Sequence, residues 1–192
     1  MNDSMTSLTP FVLDESGVQT IECRVGCLEQ NRLQFTYVAK GDIGMLRIPA
    51  KSLPRRTDCL WEHTCFEAFI RVDGDPSYYE VNFSPSGEWA AYSFRAYRDG
   101  GPLPDQSWSP EIVVRCGLDR IELDAVVQLD RLPAIRPGAV LRMGLSAVIE
   151  ANDGTLSYWA LKHPAAKPDF HHPDSFVLEL AFPSQGASKR LK

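Results

Sequence analysis

Helical periodicity is almost absent from this sequence, and so are most of the motifs that announce a particular chemistry. There is no GxSxG elbow, no GxxxxGK[ST] phosphate loop, no GxGxxG turn, no HExxH helix and no CxxCH haem attachment. Apolar runs are short, none approaching the roughly 20 residues that cross a bilayer. Met1 to Pro10 lacks the basic start and apolar stretch of an export signal, so the expected location is cytoplasmic, with no membrane partner. Positive charge is scarce as well. Twenty Lys and Arg face 25 Asp and Glu, for a net charge of −5, and the only basic cluster is Lys189-Arg190-Leu191-Lys192. Without a positive field to attract phosphates, nucleic acid is not an expected partner. The five cysteines (Cys23, Cys27, Cys59, Cys65, Cys116) are odd in number and form no CxxC pair. They are expected as reduced thiols packed like small hydrophobes, not as a disulfide framework or zinc site.

What the sequence does contain is two-residue alternation. Short apolar/polar runs bounded by Gly, Pro, Asn and Asp predict strands near 18–25, 32–39, 64–72, 78–84, 88–97, 111–117, 120–129, 140–150, 156–162 and 175–181, with a short one at 45–48. The clearest run sets Leu141, Met143, Leu145, Ala147 and Ile149 against Arg142, Gly144, Ser146, Val148 and Glu150, which predicts one face on a core. Glu29-Gln30-Asn31 and Asp119-Arg120 read as hairpin turns. The predicted fold class is all-β, a two-sheet antiparallel β-sandwich of jelly-roll type. With 192 residues and 44% hydrophobic content the chain suits one domain over 11–183, between a flexible N-terminus at 1–10 and a disordered tail at 184–192. Loops are expected at 49–62, 99–110, 131–138 and 163–174. The second and fourth are long enough for a functional or mobile role.

Candidate functional residues are aromatic and acidic. Trp61, Tyr78, Tyr79, Trp89, Tyr92, Trp108, Tyr158 and Trp159 sit at strand starts and loop edges. Rings of this kind stack on sugar faces, although in a sandwich they also build core. Glu67 interrupts the run Thr64-Cys65-Phe66-Glu67-Ala68-Phe69-Ile70, with apolar Cys65 and Phe69 as its neighbours on the same face. A carboxylate there needs an Arg partner, with Arg95 and Arg142 as the candidates, or a ligand hydroxyl; unpaired, it is costly. Glu67 and Glu80 together could also act as acid and base on a glycoside. His63, His163 and the pair His171-His172 raise haem or metal as an alternative, but their Pro and acidic neighbours suit locally hydrogen-bonded loops.

Two segments, Leu60-Trp61-Glu62-His63-Thr64-Cys65-Phe66-Glu67-Ala68-Phe69-Ile70 and Tyr78-Tyr79-Glu80-Val81-Asn82-Phe83-Ser84-Pro85-Ser86-Gly87, resemble the DOMON-like proteins, most closely their MurB-like subgroup. The stretch Tyr158-Trp159-Ala160-Leu161-Lys162-His163-Pro164, continuing to Pro168-Asp169-Phe170-His171, is similar to the same subgroup. The resemblance implies a β-sandwich related to family-9 carbohydrate-binding modules, whose relatives bind sugars or haem. It implies a non-catalytic role in which two Trp rings hold a terminal sugar and a Glu six positions after the first Trp bonds its hydroxyls. Trp61 and Glu67 match that spacing, Trp159 is similar in place to the second Trp, and Arg95 stands for the family's Arg. The haem-binding relatives use a Met and a His, for which Met143 offers no convincing pair. No flavin-binding glycine motif is present, so reductase activity is not implied. The expected ligand is a small soluble carbohydrate, with no cofactor.

Overall fold

The computed structural model describes residues 5–12, 17–29, 31–105, 107–132 and 134–183. The expected tail at 184–192 lies outside the described residues. Twelve strands are described: β1 (Thr6–Pro10), β2 (Val18–Leu28), β3 (Arg32–Gly41), β4 (Cys65–Val72), β5 (Tyr78–Phe83), β6 (Trp89–Ala96), β7 (Asp99–Pro102), β8 (Glu111–Cys116), β9 (Arg120–Gln128), β10 (Val140–Glu150), β11 (Leu156–Ala160) and β12 (Leu178–Ala181). Every pairing between them is antiparallel.

The strands form the two layers of a β-sandwich. One sheet runs β1-β2-β3-β9-β8. The other runs β7-β6-β5-β4-β10, and the far edge of β10 is shared by β12 along Val140–Met143 and β11 along Ser146–Glu150. The alternation seen in the sequence sets which side chains meet between the layers. Leu33, Phe35, Tyr37 and Ala39 of β3 face inward from the first sheet, and Phe66, Ala68 and Ile70 of β4 and the apolar row of β10 from the second. Phe35 meets Phe83 and Tyr37 meets Phe66 across the interface, with ring centroids 6.0 and 5.1 Å apart. Burying each such side chain contributes about 1.5–3 kcal/mol.

Several expectations need correction. Thr6–Pro10 is not a flexible leader but the seam between the sheets: Thr6–Leu8 pair with β2, and Thr9 and Pro10 with β11. Leu8 is buried there, and this apolar anchor, in a segment too short to show a period, is why the strand forms. The stretch at 99–110 is structural. It begins with β7 and carries Trp108, 1% exposed, which packs edge-on against Trp89 at 5.4 Å and donates its indole N–H to the Gln128 carbonyl. The short strand expected at 45–48 is replaced by a 3-10 turn, Ile43–Met45, capped by the Asp42 side chain, with one isolated bridge from Leu46 to Ala151.

Candidate functional site

The outer face of the second sheet is floored by residues that the pleat sets in rows. One row runs Ala90, Asn82, Glu67, Ser146, Ala160 across β6, β5, β4, β10 and β11. The next runs Tyr92, Glu80, Phe69, Gly144, and on the other side lie Cys65, Val148 and Tyr158. Above Glu67, Phe69, Glu80 and Val148 the sheet is left open between Trp61 on one side and Pro168 and Phe170 on the other. The result is a cavity of about 530 Å³, within the range of small-ligand sites.

Aromatic groups flank the floor on both sides. On the β6 side Trp61, carried on the 3-10 turn Leu60–Glu62, meets Tyr92 edge-on at 5.7 Å. Cys59 turns the chain into that position with φ of 61°, a conformation uncommon outside glycine. On the β11 side Phe170, from the loop at 163–174, lies 6.3 Å from Tyr158. Trp61 keeps 38% of its surface exposed, so its ring is open to solvent at the cavity wall.

Two carboxyl groups occupy the floor between these walls. Glu67 is 2% and Glu80 5% exposed. Glu67 stands opposite Asn82, so Glu80 is its diagonal neighbour across the β4/β5 pair, with Cα atoms about 7–8 Å apart. Ser146 donates its hydroxyl to Glu67 at 3.0 Å, and Asn82 donates its amide to Glu80 at 2.9 Å. Burial raises both groups above the ordinary carboxylate range. For Glu67 the charge of Glu80 adds to burial and the Ser146 bond opposes it, leaving it at about 8. For Glu80 the Asn82 bond and Arg98 oppose burial, leaving it at about 7.

The end of the cavity is closed by His171, which packs edge-on against Phe69 and Phe94. The Arg98 backbone N–H donates to the Tyr78 hydroxyl at 3.1 Å, and that hydroxyl lies 2.9 Å from His171 Nδ1. If each donor is used once, Tyr78 donates to Nδ1 and the imidazole proton sits on Nε2, 3.6 Å from Glu80. Burial, reinforced by Arg98, lowers His171 to about 4, so at neutral pH it is uncharged. The Arg98 guanidinium pairs with Asp169 at 2.9 Å, and Asp169 also accepts from Tyr97 at 2.6 Å. Those bonds outweigh burial and hold Asp169 below its usual value.

Of the four residues expected in a site, Trp61 and Glu67 line the cavity. Trp159 does not: it pairs with Ala147 of the core-facing row, is 3% exposed and donates its indole N–H to Ser157. Its neighbour Tyr158 has the opposite parity and takes the wall. Arg95 lies exposed near the end of β6, paired with Asp99, and Arg98, three residues on, reaches the cavity. Neither Arg95 nor Arg142 pairs with Glu67, since Arg142 bonds Asp73 and Glu179. The histidines are dispersed: His63 contacts Glu150 at 2.8 Å and His163 donates to the Thr9 carbonyl. Among the described residues no three of His, Cys, Asp and Glu are grouped to hold a metal ion, and Met143 is buried in the core. Sequence reasoning missed Phe170 and Arg98, and it counted Tyr158 among the aromatic candidates but chose Trp159 for the site. The parity of residue 158 against the 141–149 alternation could have reversed that choice.

No protein-family model matches the chain, and no curated protein matches it by sequence. Solved structures do share its fold. A Bacteroides uniformis protein inferred to bind carbohydrate superposes with a TM-score of 0.71 at 16% identity, covering 93% of this chain and 86% of that one. A family-9 carbohydrate-binding module of Caldicellulosiruptor kristjanssonii in complex with cellotriose gives 0.62 at 8% identity, over 98% and 87% of the two chains. Another such module, bound to glucose, gives 0.55 at 8%, over 90% and 81%. The likeness at these identities is one of fold, and the fold is the β-sandwich of carbohydrate-binding modules.

Proposed function

We propose that the protein binds a small soluble carbohydrate, without turning it over, in the cavity above β4, β5 and β10. The observation that carries this function is the pairing of aromatic walls, Trp61 with Tyr92 and Phe170 with Tyr158, around a floor of buried hydrogen-bonding groups. Aromatic faces suit the C–H faces of a pyranose, and Glu67, Glu80 and Arg98 offer partners for its hydroxyls. The shared fold of sugar-bound modules and the motif likeness to DOMON-like proteins support the same conclusion.

Titration calorimetry with a panel of mono- and oligosaccharides, run on the parent and on Trp61→Ala, tests this. Binding by the parent and a loss of about 1–3 kcal/mol in the variant are expected, the scale of removing one stacking ring. A panel without any binder, or a Trp61→Ala variant that binds as well as the parent, overturns it.

A further inference from the structure

The cavity floor is rich in acceptors and poor in positive charge. Glu67 and Glu80 are both buried, and Glu62 lines the cavity as well. The one cationic side chain in the wall, Arg98, is already paired with Asp169, and His171 is neutral. Cys65 on β4, Tyr78 on β5 and Tyr92 on β6 are nearby and uncharged at neutral pH; Tyr158 also lines the wall, and Asp58 accepts the Tyr92 hydroxyl at 2.9 Å. On the same face of the sheet, beneath the cavity lining and not part of it, lies a further buried acceptor. Asn82 is fully buried between Ala90 and Glu67, and its Nδ2 is held by Glu80, yet its Oδ1 has no hydrogen-bond partner among the described residues. Buried acceptors without donors are rare because each forfeits its hydration.

A neutral sugar supplies hydroxyl donors to such a floor but no positive charge that would let its carboxyls ionise. An ammonium group supplies three donors and the missing positive charge together. The aromatic walls suit a cation as well, since ring faces attract positive charge. We propose that this pocket selects a sugar ring bearing a free amine, with the ammonium seated over Glu67 and Glu80. This rests on the carbohydrate function proposed above and names the class of sugar.

The amine preference has a pH signature. At acid pH the floor holds its protons and offers the ammonium nothing beyond what it offers a hydroxyl; at alkaline pH the ligand's amine is neutral. The advantage of the amine is therefore greatest near neutrality, where binding expels a proton from the floor.

The test is titration calorimetry of the whole chain with glucosamine, glucose and N-acetylglucosamine at about pH 5, 7 and 9, bracketing the carboxyl and amine ranges. At about pH 7, glucosamine is expected to bind about tenfold more tightly than glucose, the ratio that one charge-assisted hydrogen bond supplies. N-acetylglucosamine, which has the ring without the charge, should show no such gain. Glu80→Gln should bring the ratio close to one. Should that variant not fold, buffers of different ionisation enthalpy decide the matter on the parent: glucosamine binding should release a proton and glucose binding should not. Glucose binding with no gain for glucosamine, or with no proton released by the amine, overturns the amine preference and leaves sugar binding standing. Absence of binding by all three sugars overturns both.

Discussion

Replacing Glu67 by Gln removes a buried acid with little change of shape, and the consequence for stability depends on pH in a calculable way. In the unfolded chain this carboxyl titrates near 4.5; in the fold, burial and the Glu80 charge carry it to about 8. The folded state therefore binds the proton more tightly. Below the unfolded value both states are protonated and Glu67 costs nothing. As pH rises toward the folded value, the unfolded state is stabilised by about 1.4 kcal/mol per pH unit for this one group. The parent should thus lose stability relative to Glu67→Gln between about pH 5 and pH 7, by about 2–3 kcal/mol in all. His171 acts in the opposite sense. Its folded value of about 4 lies below 6.5, so its contribution grows as pH rises through that interval. The raw pH profile of the parent mixes in His171, whereas the difference between parent and variant removes it and reports Glu67 together with its effect on Glu80. Urea unfolding of both proteins at pH 5, 6 and 7 measures it. A difference that does not change with pH would show an ordinary carboxyl. One that moves in the parent's favour as pH rises would mean a paired carboxylate, and the electrostatic account of the floor would be refuted.

Two further outcomes follow from the packing. Leu8→Ala should destabilise the protein by about 2–5 kcal/mol, the range for a buried leucine, because β1 closes the seam; an unchanged urea midpoint would show that the N-terminal segment is not needed. Trp159→Ala should lower the melting temperature steeply, by about 3–5 kcal/mol of stability, whereas Trp61→Ala should leave it nearly unchanged. Equal melting temperatures for these two variants would contradict the placement of Trp159 in the core and Trp61 at the cavity wall.

Alternation by itself determined the fold class, because in a strand the side-chain period is two and the face that packs must be apolar. The run from Leu141 to Ile149 fixed a core face that the tertiary structure keeps, and the oddity of Glu67 among apolar neighbours was visible without coordinates. Where both faces of a strand are buried, the pattern loses its meaning. Along β11 the residues Tyr158 and Trp159 are both aromatic, and only pairing with Val148 and Ala147 decides that Tyr158 faces the cavity and Trp159 the core. Arg95 and Arg98 differ in the same way: the turn after β6, with Arg98 at φ of 56°, directs one to solvent and the other to Asp169. The strand at Thr6–Pro10 pairs with the next strand, β2, and with the distant β11 at once, and no local pattern encodes that. The sequence therefore determined most of the strands and which carboxyl was out of place. The tertiary structure decided which aromatic rings, which arginine and which second carboxyl stand around it, because those contacts depend on register and loop return between distant segments.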